Sequence, residues 1–321
     1  MAERGPVSAG TGAGLEPRLG GLVGSGLASA LLAFFPPLTI ASPLPLAVNR
    51  LQSGPVSAWL AAVLAAALIA AVSAPIVGFG YLAILALPGV LLGEALARGR
   101  GMLRGCGWAF LALSGFITIW FATSPTGVGP SVLGFYDKSN AQFLAQLQQQ
   151  GGVSADDLAQ WQDLVKESRE LVATVYPALL VILAAIVVVA NAALLRLYLL
   201  RRDPGWLEDG EFERVRFPLP LVLAFVLAGG AVAVPLLRPA GYNVLLVVAF
   251  FFALQGLAVV GFYARRLAAP PLVRGLALVL VLANPWAPQL LALLGLFDNW
   301  FDFRKWAEPP VGRGADSGPE A

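Results

Sequence analysis

The chain has 321 residues, of which 58% are hydrophobic and 12% charged, with net charge +2, one cysteine and no histidine. A soluble domain carries about 25% charged residues. This chain lacks the polar side chains to cover a folded surface in water, so it reads as an integral membrane protein. The missing histidine excludes a His general base, a Ser-His-Asp triad, an HExxH zinc site and His-ligated haem. Cys106 alone excludes an internal disulfide and a CxxC pair. Lysine occurs only at 138, 166 and 305, never in a GxxxxGK[ST] loop, which excludes a P-loop ATPase. The near-neutral charge offers nucleic acid no footing. The expectation is a protein that is not an enzyme and holds no cofactor or metal.

A crossing helix needs about 20 mostly apolar residues, and charges facing lipid are costly, so charge-free gaps mark the spans. The first 18 residues are Gly-rich and polar, and are expected to be a flexible cytoplasmic N-terminus without a cleavable signal peptide. Residues 19–49 form the first gap, interrupted by Pro36-Pro37. Proline within a helix removes a hydrogen bond and clashes with the preceding turn. The stretch before it, residues 19–35, is about 25 Å long if helical. The stretch after it, LTIASPLPLAVN, is about 18 Å, and is either re-entrant or a short second crossing. Residues 51–93 hold two spans, near 55–73 and 76–93, with a turn at Ala74-Pro75. A further span begins at Gly105 and ends at Ser124-Pro125; four more follow at 171–195, 217–237, 239–264 and 275–297. The predicted fold is an all-α polytopic transmembrane bundle of eight long membrane helices plus a short proline-broken second segment. N-terminal membrane helices occupy 19–124 and C-terminal ones 171–300. Residues 301–321 form a polar, partly disordered tail.

Lys and Arg set the orientation. If the short segment crosses, 14 of the 21 basic residues share one side with the N-terminus and 7 lie on the other; if not, the split is 12 to 9. The first arrangement fits the positive-inside rule, with the N-terminus cytoplasmic in a bacterial inner (cytoplasmic) membrane. Both leave Arg304 and Lys305 outside unless Asn284-Pro285 breaks the last segment and returns the tail.

Residues 125–170 form the one substantial extramembrane loop, with three basic and six acidic residues. Ser154 with Asp157 resembles a capping box, and Leu158, Trp161, Leu164, Val165 and Leu171 recur at helical spacing. The expectation is an amphipathic helix on the membrane surface or capping the bundle, serving as a connector or as a lid. In the first helix, Gly20, Gly24 and Ala28, and again Ser25, Ser29 and Ala33, form small-xxx-small stripes that suit close helix approach.

Intramembrane polar residues are site candidates by default. Gln255, in FFALQGLAVVGF, is the leading ligand-contact candidate, and Asn49 and Arg50 follow the proline-broken segment. Glu94 with Arg98 reads as an interfacial i,i+4 pair. Asn191 and Asn284 read as partners for a neighbouring helix or a freed carbonyl. Asp298 and Asp302 lie at a segment end, outside any GxGD protease context.

Four places in this order resemble the YybS-like membrane proteins (DUF2232), from about Gly20 to Trp306. They are Pro36-Pro37, the stretch PLPLAVNR from Pro43 to Arg50 with Gly54 beyond it, FFALQGLAVVGF, and LLGLFDNWFDFRK with Gly295, Asp298, Asp302, Arg304 and Lys305. That family is in turn distantly similar to the S components of energy-coupling-factor transporters, which bind a vitamin or metal and rely on a separate membrane subunit and ATPases. The resemblance implies that Pro45, Asn49 and Arg50 lie near a ligand chamber. The departures are eight or nine helices against a usual six, and the long acidic loop. Two functions follow as expectations: a solute-binding or transport subunit needing partner subunits or an ATPase for energy, or a non-transporting membrane scaffold or envelope-biogenesis accessory protein. The lipid bilayer is a partner in both.

Overall fold

The computed structural model describes residues 19–123, 129–149, 154–207, 212–267, 270 and 284–305. The expected N-terminal segment, the tail from Trp306 and the start of the eighth span lie outside the described residues. Among those described, all regular structure is helical. Ten helices follow in order: α1 (Leu19–Phe34), α2 (Leu44–Ser53), α3 (Pro55–Val72), α4 (Pro75–Ala97), α5 (Met102–Thr123), α6 (Gly129–Gln149), α7 (Ala155–Arg202), α8 (Leu219–Val232), α9 (Arg238–Arg266) and α10 (Ala287–Phe301).

Five of these, α3, α4, α5, α7 and α9, are long and apolar enough to cross a membrane. The expectation of eight long helices is therefore met only in part. α1 has 16 residues and α8 has 14, about 24 and 21 Å. Proline is the reason in both cases. Pro36-Pro37 stops α1, and Phe35 before them is extended (φ −102°, ψ 106°), as a residue preceding proline prefers. Pro218 delays the start of α8, and the turn containing Pro235 follows its end. α10 has 15 residues and begins immediately after Asn284-Pro285, where the Asn284 side chain accepts the Trp286 N–H at 2.9 Å.

The chain forms two compact units. The first contains α1 to α5 and the second part of α7. After α1 a 3₁₀ turn at Pro36–Ala41 leads into α2. Pro45 sits in the first turn of α2, where its missing N–H leaves nothing unsatisfied. Gly54, at φ 90°, ends α2 and lets α3 start at once. Ser29 of α1 hydrogen-bonds the Ser42 carbonyl and the Tyr81 hydroxyl. A Cβ on Gly21 would lie 3.1 Å from Ser53 Oγ, and one on Gly26 would lie 3.0 Å from the Ala61 carbonyl. The turn and α2 thus return the chain to the level at which α1 began, and α3 runs parallel to α1.

The core of this unit is built from alanines of α3 (Ala58, Ala61, Ala62, Ala65) with Ala30, Leu46, Tyr81 and Val90. Small side chains suit a bundle in lipid, where helices gain by close packing and not by escaping water. α4 contains a π-helical turn at Leu82–Ala86. Beyond it, Gly89 and Gly93 press on α2: a Cβ there would come within 2.6 Å of Pro43 and 2.7 Å of the Ala47 carbonyl. Ala109 and Leu113 of α5 pack on Ala184 and Val188 of α7.

The second unit contains α6, the first part of α7, and α8 to α10. The capping box forms: the Asp157 N–H donates to Ser154 Oγ at 3.1 Å, and Asp157 Oδ2 accepts the Ser154 N–H at 3.4 Å. The helix it starts is not a separate surface helix. It runs 48 residues to Arg202 without a break, through Pro177. α6 pairs antiparallel with it through Tyr136–Ser168, Asp137–Arg169 at 2.7 Å and the Phe143–Trp161 edge contact at 5.7 Å. Of the apolar stripe, Trp161 meets Phe143 and the Val165 carbonyl accepts from the Tyr136 hydroxyl, while Leu164 and Leu171 stay exposed.

Near Pro177 the α7 ladder is bridged by a neighbour. Asn243 of α9 accepts the Ala178 N–H and donates to the Thr174 carbonyl, both at 2.8 Å. These two backbone groups are an i,i−4 pair, and a side chain entering the ladder there accounts for the tolerance of proline. Replacing Asn243 by leucine is expected to destabilise this unit by about 1–3 kcal/mol, read as a lower unfolding midpoint in detergent; an unchanged midpoint would refute the bridging role.

Candidate functional site

The polar residues singled out in sequence fall into two clusters, one in each unit. In the first unit Asn49 is buried on α2. Its amide donates to Ser57 Oγ at 3.1 Å, and the Ser57 hydroxyl faces Asn49 Oδ1 at 3.3 Å. The next residue, Arg50, pairs with Glu94 Oε2, and the other oxygen of Glu94 takes Arg98 at 2.6 Å. The expected i,i+4 pair is present, but Glu94 also holds α2 against α4. Pro45 is half-buried in the first turn of α2.

The second cluster gathers Gln255 and the C-terminal residues Gly295, Asp298, Asp302 and Arg304. It depends on the approach of α9 to α10. A Cβ on Gly295 would lie 1.9 Å from the Phe252 carbonyl, and one on Gly256 would lie 2.0 Å from the Leu291 carbonyl. Only hydrogen fits at either position, so the two backbones touch. That contact sets Gln255 opposite Asp298, both with no exposed surface. Gln255 Nε2 donates to Asp298 Oδ2 at 3.0 Å, and Gln255 Oε1 accepts the Phe217 N–H at 2.9 Å. Phe217 lies in the extended stretch before Pro218 and has no helical acceptor, so Gln255 satisfies a donor that would otherwise be orphaned.

Asp298 is the hub. Its Oδ1 accepts the Phe303 N–H at 3.2 Å, and Arg304 approaches Oδ2 at 3.3 Å while donating to the Val215 carbonyl at 2.8 Å. Arg216 donates to the Asp298 carbonyl at 2.9 Å and to Asp302 Oδ2 at 3.2 Å, and Lys305 reaches Asp302 at 3.1 Å. Three cations thus stand at the end of α10, where the helix dipole favours positive charge. Asp302 caps that end in the left-handed conformation (φ 44°), which a short acidic side chain tolerates. Burial pushes the Asp302 carboxyl up, but Lys305 and Arg216 outweigh it and hold the group below the usual carboxylate range. The Tyr263 hydroxyl, 2.6 Å from the Phe303 carbonyl, closes the cluster on α9.

The structure therefore joins the Gln255 candidate to the C-terminal motif, which the sequence reading kept apart. It places Asn49 and Arg50 in the other unit. Three participants were missed: Arg216, Tyr263, and Asn243 beside Pro177. The Arg-Phe-Pro order at 216–218 was a usable signal, because an extended residue before proline leaves backbone groups for others to satisfy. Asn191 donates to the Val187 carbonyl of its own helix at 2.8 Å. Chemically, both clusters are sets of hydrogen bonds and ion pairs that tie helices together. Among the described residues no group of three or more His, Cys, Asp or Glu is placed to hold a metal.

Residues 26–299 match the family described as "Predicted membrane protein (DUF2232)", and the chain belongs to that family. Neither a curated protein nor a solved structure matches it.

Proposed function

We propose that this member of the DUF2232 membrane proteins is a non-transporting scaffold or accessory protein of the bacterial inner membrane, in the service of envelope biogenesis, that holds partner membrane subunits and catalyses no reaction. One observation carries the proposal: the ligand-facing candidates are engaged within the protein. Asn49 is taken by Ser57, Arg50 by Glu94, and Gln255 by Phe217 and Asp298. A solute site needs convergent polar groups left free to meet the solute. In this reading the eight long apolar segments all cross, α1 and α8 as short helices, and the C-terminal cluster fastens the last of them.

The outer face of α1 offers the place for a partner. Val23, Leu27 and Leu31 are exposed there, and nothing lies within 4 Å of a Cβ on Gly20 or Gly24. Gly24→Leu is expected to leave the unfolding midpoint within a few degrees of wild type. It should sharply reduce the membrane proteins that co-purify with the tagged chain. Equal recovery from both would remove α1 as the contact.

A second reading is favoured by the short helix α2, ten residues between Pro43 and Gly54. It is a solute-binding or transport subunit like an energy-coupling-factor S component, drawing energy from partner subunits and an ATPase. A thermal-shift screen across vitamins and metal ions separates the two, because a ligand that binds only the folded state raises its stability. A clear rise with any compound establishes the solute reading. Its absence, with partners recovered from membranes, supports the scaffold.

A further inference from the structure

An open cleft of about 440 Å³ lies at one end of the first unit, lined by Pro55, Trp59, Leu91, Glu94, Arg98, Arg100 and Trp108. We propose that this cleft binds the headgroup of an anionic phospholipid, through Arg98 and Arg100, with the acyl chains lying along the outer face of α3.

The turn between α4 and α5 builds the basic wall. Arg98 ends α4, and Gly99 and Gly101, at φ 65° and 78°, allow the chain to reverse within a few residues. Arg100 is thereby set over the Trp108 ring, its guanidinium carbon 4.8 Å from the ring centroid. A flat guanidinium on an aromatic face keeps its N–H edge free and is fixed in direction. Charge counting gives the sign. Arg50, Arg98 and Arg100 stand against one carboxylate, Glu94, which Arg50 already neutralises from the buried side. Two positive charges remain at the mouth. Among the described residues, Arg98 has Glu94 as its acceptor and the Arg100 guanidinium has none.

Three observations select a lipid over a free anion. The cleft wall continues into the exposed face of α3, where Val56, Trp59, Leu60 and Val63 follow one another at helical spacing. Two tryptophans flank the arginines, the arrangement expected at the level of the headgroups. The cleft also lies on the side where the positive-inside rule puts the cytoplasm, and the cytoplasmic leaflet carries the anionic lipids.

The test uses the full chain in phosphatidylcholine nanodiscs, with phosphatidylglycerol added and its retention read by native mass spectrometry alongside the thermal midpoint. Phosphatidylglycerol should be retained and should raise the midpoint. R98Q/R100Q should weaken retention roughly thirty-fold, the equivalent of about 2 kcal/mol. R201Q/R202Q removes the same charge at the end of α7 and should not. Equal loss in both double variants, or no loss in R98Q/R100Q, would overturn the proposal. So would inorganic phosphate raising the midpoint as much as the lipid does. If R98Q/R100Q does not fold, R100Q alone decides, since that side chain lies on the surface; unchanged retention in R100Q would count as refutation.

Discussion

Replacing Asp298 by alanine is expected to lower the stability of the C-terminal unit by about 3–5 kcal/mol, the size found when one partner of a buried ion pair is removed. The change strips acceptors from three donors at once: Gln255 Nε2, the Phe303 N–H and the Arg304 guanidinium. Arg304 is itself largely buried, with 13% of its side chain exposed, so water cannot replace the carboxylate freely. Asp298→Asn keeps an acceptor of the same shape for Gln255 or Phe303 and loses the charge, so it should fall between wild type and alanine. Arg304→Leu in the Asp298→Leu background should cost less than the two single changes summed, because the pair acts as one unit. The measurement is a denaturant titration in detergent micelles, followed by helicity. A loss under 1 kcal/mol for Asp298→Ala would show that the cluster does not hold the unit together.

Gly295→Val is the second large effect. A Cβ at this position meets the Phe252 carbonyl at 1.9 Å and the Gly256 N at 2.7 Å, both backbone atoms that no rotamer change can move. Even alanine forces the helices apart, at about 1–3 kcal/mol, the usual range for overpacking. Valine adds two further carbons and should exceed that range. Separation of α9 from α10 also carries Gln255 away from Asp298, so packing and polar losses should be coupled. Gly20→Ala is the control, since nothing lies within 4 Å of its added Cβ, and it should be neutral. A Gly295→Val protein as stable as wild type would mean that α9 and α10 do not cross as described.

The two predictions rest on residues that the sequence made visible to different degrees. Asp298, Asp302 and Arg304 stood out because charge next to an apolar segment is rare. Gln255 stood out as a lone polar group in mid-segment. Neither observation said that they meet, since 43 residues separate Gln255 from Asp298. Gly295 stood out only through the family motif, and nothing marked it or Gly256 as a helix contact among 35 glycines in the chain; Gly20 and Gly24 looked equally suited to a helix contact, yet face outward. The same holds for Glu94: its i,i+4 partner Arg98 could be read from spacing, but Arg50, 44 residues away, could not.

Composition and punctuation therefore determined the broad character of this protein. Charge poverty requires a membrane environment, because lipid tolerates what water does not, and helices follow because each satisfies its own backbone groups there. Prolines fixed where α1 stops and where α2, α3 and α4 start, since a missing N–H and a locked φ act locally whatever surrounds them. The tertiary structure decided which helices touch, that the capped amphipathic stretch and the following span are one helix, and which buried polar groups meet. Those outcomes depend on contacts between residues distant in sequence, whose energies come from backbone approach and mutual hydrogen bonding. No local pattern encodes either, and it is they that bring Gln255 to Asp298 and Arg50 to Glu94.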